Sequence, residues 1–180
     1  DKEKYLESLL REIGFYAEKY SNGRKVISVS FGGGTPSLME PEYILKIIAA
    51  IKRNFWLKPD AEITLEANAD DLSAEKLSDL RNYTPVNRLS IGIQSFSDAD
   101  LKWMNRAHQA SEARQSLENA LSAGFHDLTI DLIYGAPTTS DAQWHENLAL
   151  AFEYGIPHLS CYCLTVEEGT ALGTFVRRGQ

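Results

Sequence analysis

Short runs in which apolar and polar residues alternate recur along the chain, and each predicts a β-strand. The five runs are residues 26–31, 62–68, 88–94, 127–134 and 158–164. The segments between them carry apolar residues at helical spacing. The helices predicted from that spacing are residues 41–55, 74–83, 112–123 and 142–154, after an opening helical pattern from Leu6 to Tyr20. Regular alternation of strands and helices indicates an α/β fold with a parallel sheet.

The spacing of the predicted strands favours one class of α/β fold, the barrel. Successive strands begin 26 to 39 residues apart, close to the ~31 residues per strand–helix unit of an eightfold barrel. The chain has 180 residues, of which 43% are hydrophobic. That is enough to bury a core, and the length favours one domain.

The two faces of the predicted strands differ in polarity. The polar face carries Ser28, Ser30, Gly32, Thr64, Glu66, Asn68, Ser90, Gly92, Gln94, Thr129 and Asp131. The apolar face carries Ile27, Val29, Phe31, Ile63, Leu65, Ala67, Leu89, Ile91, Ile93, Leu128, Ile130 and Leu132. A doubly wound sheet has helices on both faces and apolar strands throughout. An antiparallel sheet with one wet face also alternates, but the strand–helix order favours a barrel whose polar interior binds a ligand or water.

Charge and hydropathy exclude several classes of partner. The formal charge is −7, and the chain has no run of Lys and Arg, so nucleic acid is not expected as a partner. No stretch approaches the ~20 apolar residues of a membrane span, and no secretory leader is evident. We therefore expect a cytoplasmic protein.

Three consecutive glycines, Gly32 to Gly34, follow the first predicted strand and precede Thr35 and Pro36. Such bare backbone suits positive φ angles or the close approach of a ligand. The segment is not a Walker phosphate loop, which requires Lys before Ser or Thr, and it lacks the third glycine of a dinucleotide fingerprint. A plain strand-to-helix turn remains the alternative.

Polar residues cluster where the predicted strands end, which is where parallel barrels place their active sites. The candidates are Gly32, Gly33, Gly34, Thr35, Glu66, Asn68, Gln94 and Thr165 at strand ends, with Asp131 inside the fourth strand. Carboxylates inside a barrel need partners. Arg106 or an amine of the ligand are the two candidates for pairing with Glu66 and Asp131.

No metal site and no hydrolytic triad is predicted. The four histidines, His108, His126, His145 and His158, share no ligand spacing, and we expect them at the surface or behind the site. The only cysteines, Cys161 and Cys163, lie in an apolar run and are expected to be buried free thiols.

Five segments together resemble the radical S-adenosylmethionine family that contains oxygen-independent coproporphyrinogen III oxidase and the haem chaperone HemW. They are "FGGGTPSL", "AEITLEAN", "NRLSIGIQSFSDADLKWMNRAH", "TIDLIYGAP" and "HLSCYCLTVEEGT". The resemblance implies a partial (βα)6 barrel, a [4Fe–4S] cluster held by a CxxxCxxC loop after the first strand, and S-adenosylmethionine across the strand ends. It assigns the cofactor site to Gly33, Gly34, Thr35, Glu66, Gln94, Arg106, Asp131 and Thr165.

The sequence departs from this family in one large respect, because it has no CxxxCxxC motif. The five predicted strands then correspond to the second to sixth of the family. We expect residues 1–180 to be a single core-domain fragment that lacks the first strand and the C-terminal domain and is inactive alone. The cluster ligands lie outside it.

Three functions are compatible with these residues. The "YxLTxExxT" pattern and the "EAN" of residues 66–68 resemble HemW, which implies haem or porphyrin as ligand and possibly a haem-receiving protein as partner. The second function is oxidative decarboxylation of coproporphyrinogen III. The third, from outside the family, is a barrel that binds a small anion through Arg106.

Overall fold

The computed structural model describes residues 2–178. The strands are β1 (Lys25–Phe31), β2 (Trp56–Asn68), β3 (Arg88–Gln94), β4 (Leu128–Tyr134) and β5 (His158–Cys163). The helices are α1 (Lys2–Tyr20), α2 (Pro41–Asn54), α3 (Ala74–Tyr83), α4 (Asp98–Trp103), α5 (Ala110–Ser122), α6 (Asp141–Glu153) and α7 (Ala171–Arg177). All five predicted strands and all the predicted helices are present. The short helices α4 and α7 were not predicted.

The strands form one parallel sheet in the order β1-β2-β3-β4-β5. Sequential strands lie side by side and the sheet curves as part of a barrel, which confirms the expected α/β architecture with a partial TIM-like barrel. Because every strand is parallel, their carboxyl ends meet along one rim.

The main core lies between the outer face of the sheet and the helices. Leu65, Leu89, Ile91, Leu128 and Ile130 are completely buried there, and their neighbours come from the apolar stripes of the helices. Burial of each such side chain stabilises the fold by about 1.5–3 kcal/mol. The apolar face is therefore the outer face, as the alternation predicts.

Ile27 is the exception on that face, since its side chain is 66% exposed. The ladder between β1 and β2 shifts register between Val26 and Ser28. Ile27 lies in this irregularity, where β2 places residues 58–61 opposite the single residue of β1 and the regular ladder is interrupted. Its predicted burial is wrong for that reason.

Helix ends are set by local sequence. Ser140 caps α6 by accepting a hydrogen bond from the backbone N–H of Gln143. Gly124 and Gly155 follow α5 and α6 with φ angles of +85° and +65°, which satisfies the carbonyls of the last turns. Within residues 2–178, no helix is both long and apolar enough to cross a membrane.

Candidate functional site

A polar cavity of about 170 Å³ lies at the carboxyl rim of the sheet. The predicted residues that line it are Gly34, Thr35, Glu66, Gln94, Arg106 and Asp131. Asn68, also a candidate at its strand end, lines the same cavity, and so do Pro36, Ala67, Ser90 and Gly92, which the sequence did not single out as site residues. Asn68, Ser90 and Gly92 had been placed on the polar face, and that alternation was the signal available for them.

The glycine segment folds over the carboxylate of Glu66. Gly33 and Gly34 have φ angles of +76° and +77°, which glycine adopts without steric cost. The backbone N–H of Gly33 donates to Oε2 of Glu66, with N and O 3.3 Å apart. A Cβ atom on Gly32 would lie 2.6 Å from Oε1 of Glu66. The bare backbone thus lets this loop and Glu66 share one end of the cavity.

Gln94 and Arg106 face the cavity from the end of β3 and the segment after α4. Gln94 has a φ angle of +67°, and the β3–β4 ladder shifts register between Gly92 and Gln94. A Cβ atom on Gly92 would lie 2.8 Å from Nε2 of Gln94 and 3.6 Å from Nη2 of Arg106. Gly92 therefore leaves the room in which these two side chains converge.

Arg106 donates to Oδ1 of Asn68 from Nη2 at 3.4 Å. Among the ion pairs of the described residues, none joins Arg106 to Glu66 or Asp131. Arg106 is thus not the partner of either carboxylate; Glu66 accepts a hydrogen bond from Gly33, and Asp131 accepts one from Ser160. The guanidinium retains donors for a ligand carboxylate.

Asp131 lies half-buried on the inner face of β4. Burial raises the pKa of Asp131 above the ordinary carboxyl value, and the negative charge of Glu66 raises this pKa further. The hydrogen bond from Ser160 and, to a smaller extent, the charge of His158 lower the pKa of Asp131. Two carboxylates on one cavity repel each other, so a cationic or hydroxyl-bearing ligand lowers the electrostatic energy of the site.

A polar network lies at the amino ends of the strands, where Thr129 is buried and Arg88 is partly buried. Arg88 contacts Glu62 at 3.4 Å and Asp127 at 3.3 Å, and it donates to the hydroxyl of Thr129. Thr129 is in turn 3.1 Å from Nδ1 of His158. This network is separate from the polar cavity, whose lining includes none of these residues.

A second buried network fixes the segment that carries Gln94 and Arg106. Asp100 is completely buried and accepts hydrogen bonds from Ser95 at 2.9 Å and Thr138 at 2.6 Å. Oδ1 of Asn147, on α6, accepts from the backbone N–H of Phe96 at 2.8 Å. The network joins the end of β3 to the β4–α6 loop and to α6. No sequence motif had pointed to it.

Two of the predicted site residues, Gly33 and Thr165, do not line the polar cavity. Gly33 contacts Glu66 from beside the cavity and also lines a neighbouring cavity toward α1. Thr165 follows β5, is exposed and donates to Oε1 of Glu167 at 3.1 Å. Thr165 does not line the polar cavity of the described residues.

One expectation about titratable side chains, the burial of the two thiols, needs correction. Cys161 and Cys163 are exposed free thiols, not buried ones, because they lie on the outer face of β5, which is an edge strand. His108 is only 3% exposed and its Nε2 lies 3.1 Å from the carbonyl of Ile93. It lies behind the site, and His126, His145 and His158 are exposed, so all four histidines lie at the surface or behind the site as expected.

The donor set of the cavity suits one kind of ligand and not another. Positive-φ glycines, two carboxylates and one guanidinium complement a molecule that has an ammonium group, hydroxyl groups and a carboxylate, as S-adenosylmethionine has. An iron–sulfur cluster needs several thiolates. Residues 2–178 contain no group of three or more His, Cys, Asp or Glu side chains arranged to hold a metal ion.

The fold and this cavity agree with a match to a known family. The model of the radical SAM superfamily matches residues 2–151, and the chain belongs to that superfamily. Its sequence is 36% identical over 170 residues to the heme chaperone HemW of Escherichia coli K12, covering 94% of this chain and 44% of that protein. It is 37% identical over 161 residues to the mitochondrial radical S-adenosyl methionine domain-containing protein 1 of the mouse, covering 89% and 36%.

Solved structures also match the fold of this chain. The radical SAM enzyme HemN, coproporphyrinogen III oxidase of Escherichia coli, superposes with a TM-score of 0.80 at 30% identity, covering 92% of this chain and 38% of that one. The archaeal Elp3 of Methanocaldococcus infernus shares the fold with a TM-score of 0.75 at 17% identity. The expected partial radical SAM barrel is thereby confirmed. The chain spans less than half the length of these relatives.

Proposed function

We propose that this chain is the core-domain part of a longer radical SAM protein of the HemW type, which binds S-adenosylmethionine and carries haem. The observation that carries the proposal is the convergence of the glycine loop, Glu66, Asp131 and Arg106 on one cavity. The relatives named as heme chaperones, at 34–36% identity, support the haem-related role.

In this proposal each polar group has a role that follows from its charge. Glu66 and the backbone of Gly33 and Gly34 hold the methionyl ammonium group, and Arg106 pairs with the methionyl carboxylate. Asp131 accepts hydrogen bonds from the ribose hydroxyls or the adenine, and the amide of Gln94 both donates to and accepts from these groups. Thr35 lines the same cavity, and a contact between Thr165 and the cofactor stays a prediction.

S-adenosylmethionine held by these residues beside a [4Fe–4S] cluster would supply the radical chemistry of this superfamily. The residues described do not fit such a cluster, and we propose that its thiolate ligands come from outside this chain, as does the C-terminal domain. In this proposal the residues of this chain bind and orient the cofactor. A haem-receiving protein as partner and a cytoplasmic location stay predictions.

The alternative is a decarboxylating coproporphyrinogen III oxidase, and the structural match to HemN is the observation that favours it. Anaerobic incubation of the whole reconstituted protein with coproporphyrinogen III, S-adenosylmethionine and a reductant separates the two functions. We expect stable haem binding and no protoporphyrinogen IX. Multiple turnovers with loss of two carboxyl groups per porphyrin would overturn the chaperone function. No observation favours the small-anion barrel.

A further inference from the structure

The segment that carries α4 lies between two of the residues assigned to the cofactor. Gln94 precedes this segment and Arg106 follows it, and both side chains line the polar cavity. Helix α4 has only six residues, too few for a helix to be stable through its own hydrogen bonds. The positions of Gln94 and Arg106 therefore depend on what holds the segment against the rest of the protein.

The hydroxyl of Ser95 is the centre of the network that holds this segment. It donates to Oδ2 of Asp100 at 2.9 Å, and it accepts from Nδ2 of Asn147 at 3.2 Å and from the backbone N–H of Ser97 at 3.1 Å. A hydroxyl has one donor and two acceptor lone pairs, so every hydrogen-bonding position of Ser95 is used. Ser95, Asp100 and Asn147 are buried, and a buried network that is satisfied in this way holds one arrangement of its side chains.

Gln94 is the residue whose backbone conformation this network fixes. The N–H of Ser95 donates to the carbonyl of Ile93 at 2.8 Å, which closes a three-residue turn around Gln94. The φ angle of Gln94 is +67°, a value that residues other than glycine rarely adopt and that persists where neighbouring contacts impose it. The hydrogen bonds of Ser95, and Nε2 of His108 at 3.1 Å from the same carbonyl, supply that constraint.

Asp100 extends the network to the end of β4. Its Oδ1 accepts from the hydroxyl of Thr138 at 2.6 Å, and Thr138 lies in the loop that follows the strand of Asp131. The backbone of Arg106 is tied to α4, because its N–H donates to the carbonyl of Leu101 at 2.9 Å. One carboxylate thus links the ends of β3 and β4 to Arg106. We use the name Asp100 network for Ser95, Asp100, Thr138 and Asn147.

These contacts suit positioning better than stability alone. Apolar side chains of the same shape would fill this space with little loss of stability, because a buried hydrogen-bonded pair has a small net effect on it. Hydrogen bonds differ from apolar contacts in that they fix distances and directions. Oγ1 of the neighbouring Thr139 is buried and has no hydrogen-bond partner within residues 2–178. Of the two adjacent hydroxyls, that of Thr138 is therefore the one that joins the network.

We propose that the Asp100 network positions Gln94 and Arg106 for S-adenosylmethionine, so that losing one of its hydrogen bonds weakens cofactor binding although no group in contact with the cofactor changes. A site that is held in its binding geometry beforehand loses less binding free energy to ordering. The proposal rests on the function proposed above, which assigns S-adenosylmethionine to the polar cavity. The members of the network are positioning residues and not cofactor ligands.

Calorimetric titration of the whole reconstituted protein with S-adenosylmethionine tests this role. Thr138→Val removes the hydroxyl and keeps the shape of the side chain, and it should weaken binding about fivefold. Thr138→Ser keeps the hydroxyl and should restore the wild-type affinity. Thr139→Val is the matched control, since it removes a hydroxyl that has no partner among the described residues, and it should bind as the wild type does.

A second control separates positioning from a general loss of stability. Leu77→Ala truncates a completely buried side chain on α3, outside the Asp100 network and the polar cavity. It should lower the free energy of unfolding more than Thr138→Val does, yet leave the affinity for S-adenosylmethionine unchanged. Hydrogen exchange of the ligand-free protein gives a local measurement. The amides of residues 94–106 should exchange faster in Thr138→Val than in Thr139→Val or the wild type.

The outcomes distinguish this proposal from the proposed function. If the wild-type protein does not bind S-adenosylmethionine, the proposed function fails and the positioning role fails with it. If the wild type binds, but Thr138→Val binds as tightly as Thr139→Val, or Thr138→Ser binds as weakly as Thr138→Val, the positioning role alone is overturned. Equal weakening by Leu77→Ala, or unchanged exchange of residues 94–106 in Thr138→Val, would overturn it as well.

Discussion

Glu66 accepts a hydrogen bond from the backbone N–H of Gly33 at 3.3 Å, although the two residues are 33 positions apart in sequence. They meet because they lie at the ends of the neighbouring strands β1 and β2. The same carboxylate would lie 2.6 Å from a Cβ atom on Gly32. The glycine loop and the acidic side chain therefore depend on each other's position. This relationship explains why a strand that ends in three glycines is useful at this place.

Replacing Gly32 by alanine should displace the Glu66 carboxylate without unfolding the protein, because the clash is with the end of a flexible side chain. S-adenosylmethionine binding to the whole reconstituted protein should weaken by about 1.5 kcal/mol, the lower range for a hydrogen bond to a charged group. Isothermal calorimetry measures this. Gly14→Ala is the control, since a Cβ atom there meets nothing within 4 Å. Equal affinities in both variants would refute the coupling.

Asp131→Asn should make the protein more stable at neutral pH. Burial raises the pKa of Asp131 in the folded state above the ordinary value of about 3.9. The folded state therefore binds the proton more tightly, and its stability falls as the pH rises from the unfolded to the folded pKa. Asparagine does not titrate and avoids that loss.

Thermal unfolding of wild type and variant across pH tests this sign. The gain in Tm from Asp131→Asn should be absent below about pH 3.9 and present at neutral pH. Asp60→Asn is a control of opposite sign, because the hydrogen bond from Lys58 lowers the pKa of Asp60, and this variant should not raise the Tm at neutral pH. A lower Tm for Asp131→Asn than for the wild type at pH 7 would contradict the expected cost of burying the charged carboxylate.

Asp100→Ala should destabilise the protein by about 2–4 kcal/mol, since it leaves the hydroxyls of Ser95 and Thr138 without their buried acceptor. Asp98→Ala, on the same short helix, removes an exposed acceptor from the backbone N–H of Ala110 and should cost no more than about 1 kcal/mol. Urea denaturation gives both values. Equal losses would mean that the buried network is unimportant.

Residues 1–180 alone should not assemble an iron–sulfur cluster. Their only thiols, Cys161 and Cys163, are exposed on one strand, and a [4Fe–4S] cluster is held by more thiolates than two. Anaerobic reconstitution followed by iron and sulfide analysis should find neither element bound in stoichiometric amount. About four irons per chain, lost on exchange of both cysteines for serine, would contradict this expectation.

The fold could be predicted from the sequence because alternation is strong where a helix covers one side of the sheet. The prediction missed elements whose structure does not depend on that alternation. The first part of β2 contains Pro59 and charged residues, and it becomes a strand by pairing Trp56 and Leu57 with Lys25 and Val26. Helix α4 has six residues, too few to establish a helical period.

The candidate site was predictable in part for a related reason. Glu66 and Asp131 interrupt apolar strands, so their inward position could be read from the period of two residues. Asp100 lies in a short polar segment, and its burial results from hydroxyl groups that are 5 and 38 positions away in sequence. The exposure of Cys161 depends on which strand forms an edge, which an apolar run cannot reveal.

The central claim is that the inward carboxylates of this barrel hold S-adenosylmethionine, and calorimetric titration of the whole reconstituted protein tests it most directly. Glu66→Ala and Asp131→Ala should each weaken S-adenosylmethionine by about 1.5–3 kcal/mol, with unchanged circular dichroism. Glu18→Ala, an exposed change on α1, should bind as the wild type does. Wild-type affinity in both cavity variants would contradict the assignment of this cavity as the cofactor site.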